Sequence, residues 1–201
     1  MKSNYSKLLL LALLAIFTLG SCDDDDDNDS RGTFVTLGAQ SNTSTGAFYS
    51  ILEGKVYTQD EAFQNQESID LLCFYENTDE HQNFTTLSSP GANIVGIFTG
   101  ETSVENYTTK NLTTFTHPAT ELSVEQFDQI KNGDAIISSY YDVTVTSGNK
   151  KAKELKVGDI YAFKTQTGFY GLFKVVKVSD PEGETGWIKI ELKVTVPLLI
   201  D

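Results

Sequence analysis

Short runs in which apolar and polar residues alternate, a pattern typical of β-strands, recur from about Gly32 onward. The alternation is clearest at 187–196, where every second residue is aliphatic. The aliphatic positions are predicted to face the core: Ile188, Ile190, Leu192 and Val194. The charged positions between them are predicted to face solvent: Lys189, Glu191 and Lys193.

The same pattern predicts strands along the whole body of the chain. They are placed at 33–37, 47–52, 55–58, 69–75, 94–99, 111–116, 159–165, 169–179 and 187–196. Glu53-Gly54 is a turn signal between the second and third strands, and 76–83 reads as a polar loop. The last three strands are predicted to form an antiparallel meander.

Two short helices are predicted from capping boxes. Ser123-Val124-Glu125-Gln126 and Thr58-Gln59-Asp60-Glu61 both place a hydroxyl three residues before Glu or Gln. The expected fold is therefore mainly β, an antiparallel β-sandwich or barrel-like sheet with one or two short helices. Residues 32–201 form this domain, and a division into two lobes near 118–133 stays open.

The N-terminus has the layout of a secretory signal. Lys2 and Lys7 precede an apolar run at 8–17, which is shorter than the roughly 20 residues of a membrane-spanning helix. Leu19-Gly20-Ser21-Cys22 then matches the lipobox of bacterial lipoproteins. We expect residues 1–21 to be a signal peptide and Cys22 to carry the lipid that attaches the chain to the membrane.

An acidic run follows Cys22 inside a segment, 22–31, that is predicted to be a tether. Its acids are Asp23, Asp24, Asp25, Asp26, Asp27 and Asp29. With the lipobox, this run resembles the surface lipoproteins of the Bacteroidetes, in which it acts as an export signal. The resemblance implies a lipid-anchored protein of the outer membrane that faces the cell exterior. A plain solvated tether and a calcium site are the alternatives.

The body also resembles uncharacterised lipoproteins of the same bacteria. The resemblance is carried by Phe48-Tyr49-Ser50, Val56-Tyr57-Thr58 and Ile69-Asp70-Leu71. It implies no activity.

The charge of the chain is acidic, at −13 overall. Loss of Lys2 and Lys7 with the signal leaves about −15, and removing the six tail acids leaves about −9 for the body. A field of this sign repels phosphate backbones, so nucleic acid is not expected as a partner.

Catalytic, metal and cofactor signals are weak. The chain has only two histidines, His81 and His117, and Cys73 is the one cysteine besides Cys22. Zinc-site spacings, Walker loops, dinucleotide fingerprints and G-x-S-x-G do not occur. We expect Cys73 to be buried in a strand and both histidines to be solvated. No catalytic residue, metal or cofactor is assigned.

Aromatic residues remain as candidate ligand contacts, because Tyr and Trp rings stack on sugars and anchor interfaces. The candidates are Trp187, Tyr140, Tyr141, Tyr107 and Tyr170.

Three hypotheses on function follow. Surface glycan capture requires an exposed aromatic cluster, and docking to another envelope protein requires an apolar patch or a free strand edge. A glycosidase requires a cleft with two carboxylates whose pKa values differ.

Overall fold

A computed structural model describes residues 32–77 and 82–195. Its strands are β1 (Thr33–Gly38), β2 (Phe48–Ser50), β3 (Lys55–Tyr57), β4 (Leu71–Asn77), β5 (Gln82–Ser88), β6 (Thr114–Thr116), β7 (Ile160–Lys164), β8 (Tyr170–Val178) and β9 (Trp187–Val194). Its α-helices are α1 (Gln59–Gln64) and α2 (Val124–Gln129). Four 3-10 turns are present at Gln66–Ser68, Pro90–Ala92, Val104–Asn106 and Ala135–Tyr140. The signal, Cys22, the acidic run and His81 lie outside these residues.

The strands form two antiparallel sheets, so the predicted β-sandwich class is confirmed. The five-stranded sheet has the order β1-β9-β8-β7-β6, and the four-stranded sheet has the order β3-β2-β4-β5. The predicted meander is present as β7, β8 and β9. The first and last strands are neighbours, with Thr33 opposite Leu192 and Gly38 opposite Trp187.

The inner faces of the two sheets share one apolar core. The five-stranded sheet contributes residues such as Leu37, Phe173 and Ile190, and the four-stranded sheet contributes Leu71 and Leu87. All five side chains are fully buried. This shared burial is the main apolar contribution to the stability of the sandwich.

Each sheet is also covered on part of its outer face. The segment with α1 and residues 90–107 packs on the four-stranded sheet, where Phe48, Phe74 and Phe98 belong to one cluster. The segment with α2 and the turn Ala135–Tyr140 packs on the five-stranded sheet. Residues 118–133, near which the sequence leaves a division into lobes open, belong to this second cover.

The two helices begin at the predicted capping boxes. Thr58 and Ser123 each accept a hydrogen bond from the backbone of the third helical residue, and the Glu61 and Gln126 side chains bond back to the caps. No helix within 32–77 and 82–195 is long and apolar enough to cross a membrane.

Two strand predictions differ from the structure. Residues 94–99 form no strand, because Asn93 and Gly96 have left-handed φ values of 58° and 71° that turn the chain. The apolar Ile94 and Phe98 bury themselves on the outer face of the four-stranded sheet instead. Conversely, β5 was not predicted, because its first residues fall at the end of the predicted polar loop 76–83.

The predicted solvated face of β9 is also wrong in part. Glu191 and Lys193 are buried, because α2 covers this part of the sheet. Lys193 Nζ donates to the carbonyl oxygens of Phe127 (2.7 Å) and Ile130 (2.6 Å), at the C-terminus of α2. The ammonium group thereby lies at the C-terminal end of α2, where a positive charge interacts favourably with the helix dipole.

A carboxylate balances the charge of this buried lysine. Glu191 lies 3.7 Å from Lys193 Nζ and 2.9 Å from Lys174 Nζ, and Lys174 also pairs with Asp128 of α2. Both ammonium groups lie over the ring of Phe127, at 4.5 and 4.9 Å from its centroid. Burial lowers the pKa of Lys193, while Glu191 opposes that shift. We call Asp128, Lys174, Glu191 and Lys193 the charged cluster.

We predict that Lys193→Met destabilises the fold by about 2–4 kcal/mol, because it leaves two buried helix carbonyls without their donor and Glu191 with Lys174 as its remaining ion-pair partner. Urea unfolding measures this change. Lys189→Met is the matched control, since Lys189 lies on the same face of β9 but has no bond to α2, and it should change stability by less than about 0.5 kcal/mol. Equal effects of the two substitutions would contradict the role of the charged cluster.

Candidate functional site

Three grooves can be described among residues 32–77 and 82–195, and none of these three holds the carboxylate pair of a glycosidase. The first, about 230 Å³, is lined mainly by residues 39–48 and contains no carboxylate. The second, about 370 Å³, contains only Glu67, and the third, about 270 Å³, contains only Glu53. A two-carboxylate mechanism therefore finds no support in these grooves.

Asp70 has an unusual titration but stands outside these grooves. Burial raises its pKa from 3.8 to about 6, and a hydrogen bond from the Ile51 backbone N–H (2.8 Å) only partly offsets this. Its side chain bonds to the backbone where β2 ends. Asp70 thus combines a perturbed pKa with a structural contact to the end of β2.

The other chemical candidates are also in structural positions. Cys73 is buried in β4 as predicted, and burial raises the pKa of its thiol, which keeps it protonated. His117 is exposed, as expected, and its ring lies 4.6 Å from that of Tyr161. Among the described residues, no three His, Cys, Asp or Glu side chains are grouped as metal ligands.

Tyr107 is the one predicted aromatic contact that the structure rules out as a surface group. It is only 5% exposed and packs between Phe48 and Phe63, with ring centroids at 6.3 and 5.9 Å. The segment 90–107 folds over the four-stranded sheet and takes Tyr107 into its cover. This tyrosine serves packing.

Tyr140, Tyr141 and Tyr170 are brought together on the covered part of the five-stranded sheet. Tyr141 and Tyr170 meet edge to face at 5.7 Å, and the Tyr141 hydroxyl is 2.6 Å from the Thr114 hydroxyl. Tyr140 packs against the same apolar cluster as Tyr141. All three are half-buried, and their contacts join the cover to the sheet.

Trp187 lies at the opposite end of the same outer face, beyond α2. It starts β9 and stands two residues before Lys189, so the side chains of both residues lie on the outer face. Trp187 is half-buried, and Phe34 of β1, also on this face, is 52% exposed. The structure therefore places two aromatic rings on the part of the sheet that the cover leaves open.

Two lysines lie between these rings. Lys177 of β8 is directly opposite Lys189 of β9. Lys177 Nζ lies 5.5 Å from the Trp187 ring centroid, and Lys189 Nζ lies 5.1 Å from the Phe34 ring centroid. We call Phe34, Thr36, Lys177, Trp187 and Lys189 the aromatic–lysine patch.

A β-bulge creates the lysine pair. The pairing of β8 with β9 shifts between Val175 and Lys177, so that Val176 is the extra residue. With regular pairing Val176 would face Lys189, whereas the bulge brings Lys177 to that place. The bulge thus changes an aliphatic contact into a pair of ammonium groups.

Polar groups flank the Trp187 end of the patch. Gly38 lies opposite Trp187, and a Cβ on it would come within 2.6 Å of Asn42 Cβ, so the loop after β1 approaches closely there. Asn42 Nδ2 donates to the carbonyls of Thr185 and Gly186 (2.7 and 3.0 Å), next to Trp187. Thr43 and Ser44 of the same loop are exposed.

Sequence reasoning found Trp187 but missed Phe34, Lys177 and Lys189 as a group. One signal was available, because Phe34 alternates with the core residues Val35 and Leu37 and so had to face away from the core. The bulge that aligns Lys177 carries no sequence signal. The placement of Lys177 opposite Lys189 therefore could not be predicted before the fold was known.

No protein-family model, curated protein sequence or solved structure matches this chain.

We predict that Asp70→Asn stabilises the protein at pH 7, by up to about 3 kcal/mol at roughly 1.4 kcal/mol per pKa unit. The raised pKa means that the folded state binds more protons than the unfolded chain between pH 3.8 and about 6. The contribution of Asp70 to stability is therefore full below pH 3.8 and is lost as the pH rises through about 6. Asn stays neutral and keeps an acceptor for Ile51.

Urea unfolding at several pH values between 4 and 7 measures the difference between the variant and the parent. This difference should grow with pH and level off above about pH 6, the folded-state pKa of Asp70. The exposed Glu121→Gln is the control and should give a small, flat difference. A pH-independent difference for Asp70→Asn would contradict the titration assigned to Asp70.

Proposed function

We propose that this protein is a lipid-anchored protein of the outer membrane that faces the cell exterior and captures a glycan on the outer face of its five-stranded sheet. The aromatic–lysine patch is the binding surface. The lipobox at 19–22 and the acidic run behind Cys22 support the location. The proposed activity is binding without catalysis.

One observation carries the binding part of the proposal. Trp187 and Phe34 lie on an uncovered sheet face, with lysines between them and exposed hydroxyl groups at one end. From Trp187 to Glu191, the residue opposite Phe34, the strand rises about 13 Å at ~3.3 Å per residue. Such a length suits an oligosaccharide, whose sugar rings stack on aromatic side chains while its hydroxyls bond to polar ones.

Docking to another envelope protein is the second candidate. Ile136 and Val143, both in the cover over the five-stranded sheet, are 52% and 71% exposed. Apolar side chains at a surface favour protein contacts when they are contiguous. This candidate predicts that substitutions at Ile136 or Val143, and not at the patch, remove binding.

The free edge of β5 is not available for such docking. Leu87 exchanges backbone hydrogen bonds with Ala152 (3.0 and 2.8 Å), and the Thr85 N–H donates to Glu182 (2.7 Å). These contacts occupy the groups that a partner strand would need.

Trp187 offers a direct test, because it is the only tryptophan of the chain. We predict that a captured oligosaccharide changes the tryptophan fluorescence of the body, expressed from Arg31 onward, in a saturable manner. Calorimetry on Trp187→Ala should show a loss of about 1.5–2 kcal/mol, or roughly 10- to 30-fold in affinity.

Val95→Ala is the control, since Val95 is a 62% exposed apolar residue of the segment 90–107, which covers the four-stranded sheet and not the five-stranded sheet of the patch. It should leave the affinity unchanged. Equal losses in the two variants, or a fluorescence that no glycan alters, would argue against capture at the patch.

A further inference from the structure

We infer that the aromatic–lysine patch selects an anionic, carboxylate-bearing polysaccharide, with Lys177 and Lys189 as the residues that read its charge. This inference rests on the proposed function and names the ligand class of the same site. It starts from two lysines that lie directly opposite each other in a body whose overall charge is negative.

The lysine pair is unfavourable for the fold by itself. Like charges directly opposite each other on one face of an antiparallel pair destabilise the sheet. Three other lysines of the described chain have carboxylate partners, namely Lys151, Lys174 and Lys193. Within residues 32–77 and 82–195, neither Lys177 nor Lys189 has a carboxylate at ion-pair distance.

The ammonium groups of Lys177 and Lys189 lie against two different aromatic rings. Lys177 leans over Trp187 and Lys189 leans over Phe34, so each charge is placed against the face of a ring. A sugar that stacks beside these rings brings its substituents within reach of the ammonium groups. A carboxylate is the substituent that gains most there, because it can form charge-assisted hydrogen bonds to both lysines.

The charge of the whole body narrows the class of anion. The net charge of about −9 acts at long range, whereas salt screens charges over ~8 Å under physiological conditions, so a bound group feels mainly the two lysines. Duplex nucleic acid carries one charge per ~1.7 Å and therefore places more charge within this screening distance of the acidic body than a polysaccharide with one carboxylate per sugar does. A polysaccharide with one carboxylate per sugar can pair with the two lysines and has a lower charge density than nucleic acid.

A matched pair of ligands tests this selection. Polygalacturonate and its methyl ester share one backbone and differ in charge. We predict that the body binds polygalacturonate at least about tenfold more tightly than the ester, as followed by Trp187 fluorescence. Added salt should weaken the binding of polygalacturonate and leave that of the ester unchanged.

The double variant Lys177→Met, Lys189→Met should reduce affinity for polygalacturonate about tenfold and keep that for the ester. Its stability should stay the same or rise slightly, because a like-charge pair is removed, so lost binding would not reflect unfolding. Lys164→Met is the matched control. Lys164 also lies over a ring, that of Tyr170 at 5.0 Å, and has no carboxylate at ion-pair distance among the described residues, but it lies outside the patch.

The possible outcomes separate the two proposals. Equal binding of both polysaccharides, unaffected by the double variant, would overturn the inference and leave glycan capture intact. Binding of neither, nor of any other glycan, would overturn the proposed function and the inference with it. Binding of poly-L-glutamate in preference to every polysaccharide would identify the lysine pair as a site for an acidic protein and also overturn the inference.

Discussion

The outer face of the five-stranded sheet is organised by one buried ammonium group. Lys193 extends from the sheet to the last carbonyls of α2, and Glu191, which also pairs with Lys174, balances its charge. Because α2 spans only six residues, it has little stability of its own and depends on this attachment. The lysine therefore fixes α2 on the sheet, together with the apolar cluster around Phe127 and Ile137.

The division of this face gives its lysines opposite roles. Under the cover, Lys174 and Lys193 are paired with acids and serve the fold. Beyond the cover, Lys177 and Lys189 have aromatic rings as neighbours instead of acids, which sacrifices some stability at the surface. Natural proteins tolerate such unfavourable local arrangements mainly at sites that serve function. That contrast within one sheet face singles out the aromatic–lysine patch.

Local periodicity was sufficient for most of the sandwich, and its failures have physical causes. The alternation in β9 identified Ile188 and Ile190 as core residues, because a period of two follows from strand geometry. It could not show that Glu191 and Lys193 are buried, since the cover comes from residues that are far away in sequence. The apolar run at 94–99 was mistaken for a strand because burial against a sheet and membership of a sheet select the same residue types.

The candidate site was less accessible to sequence reasoning than the fold. Trp187 could be named as a lone aromatic at the start of a strand, but its partners come from β1 and β8, and their alignment depends on strand register and on the bulge at Val176. Tyr107 shows the reverse error, because the sequence offers it as a candidate ligand contact whereas it fills the cover of the other sheet.

The pairing of the first strand with the last has a mechanical consequence. Under the proposed function, the domain would be pulled from two points, at Gly32 by the anchor and at the patch by the captured chain. Between these points, β1 and β9 are joined by six antiparallel residue pairs, from Thr33–Leu192 to Gly38–Trp187. The load therefore runs along the strands, so that these pairs resist it together in shear instead of peeling apart one at a time.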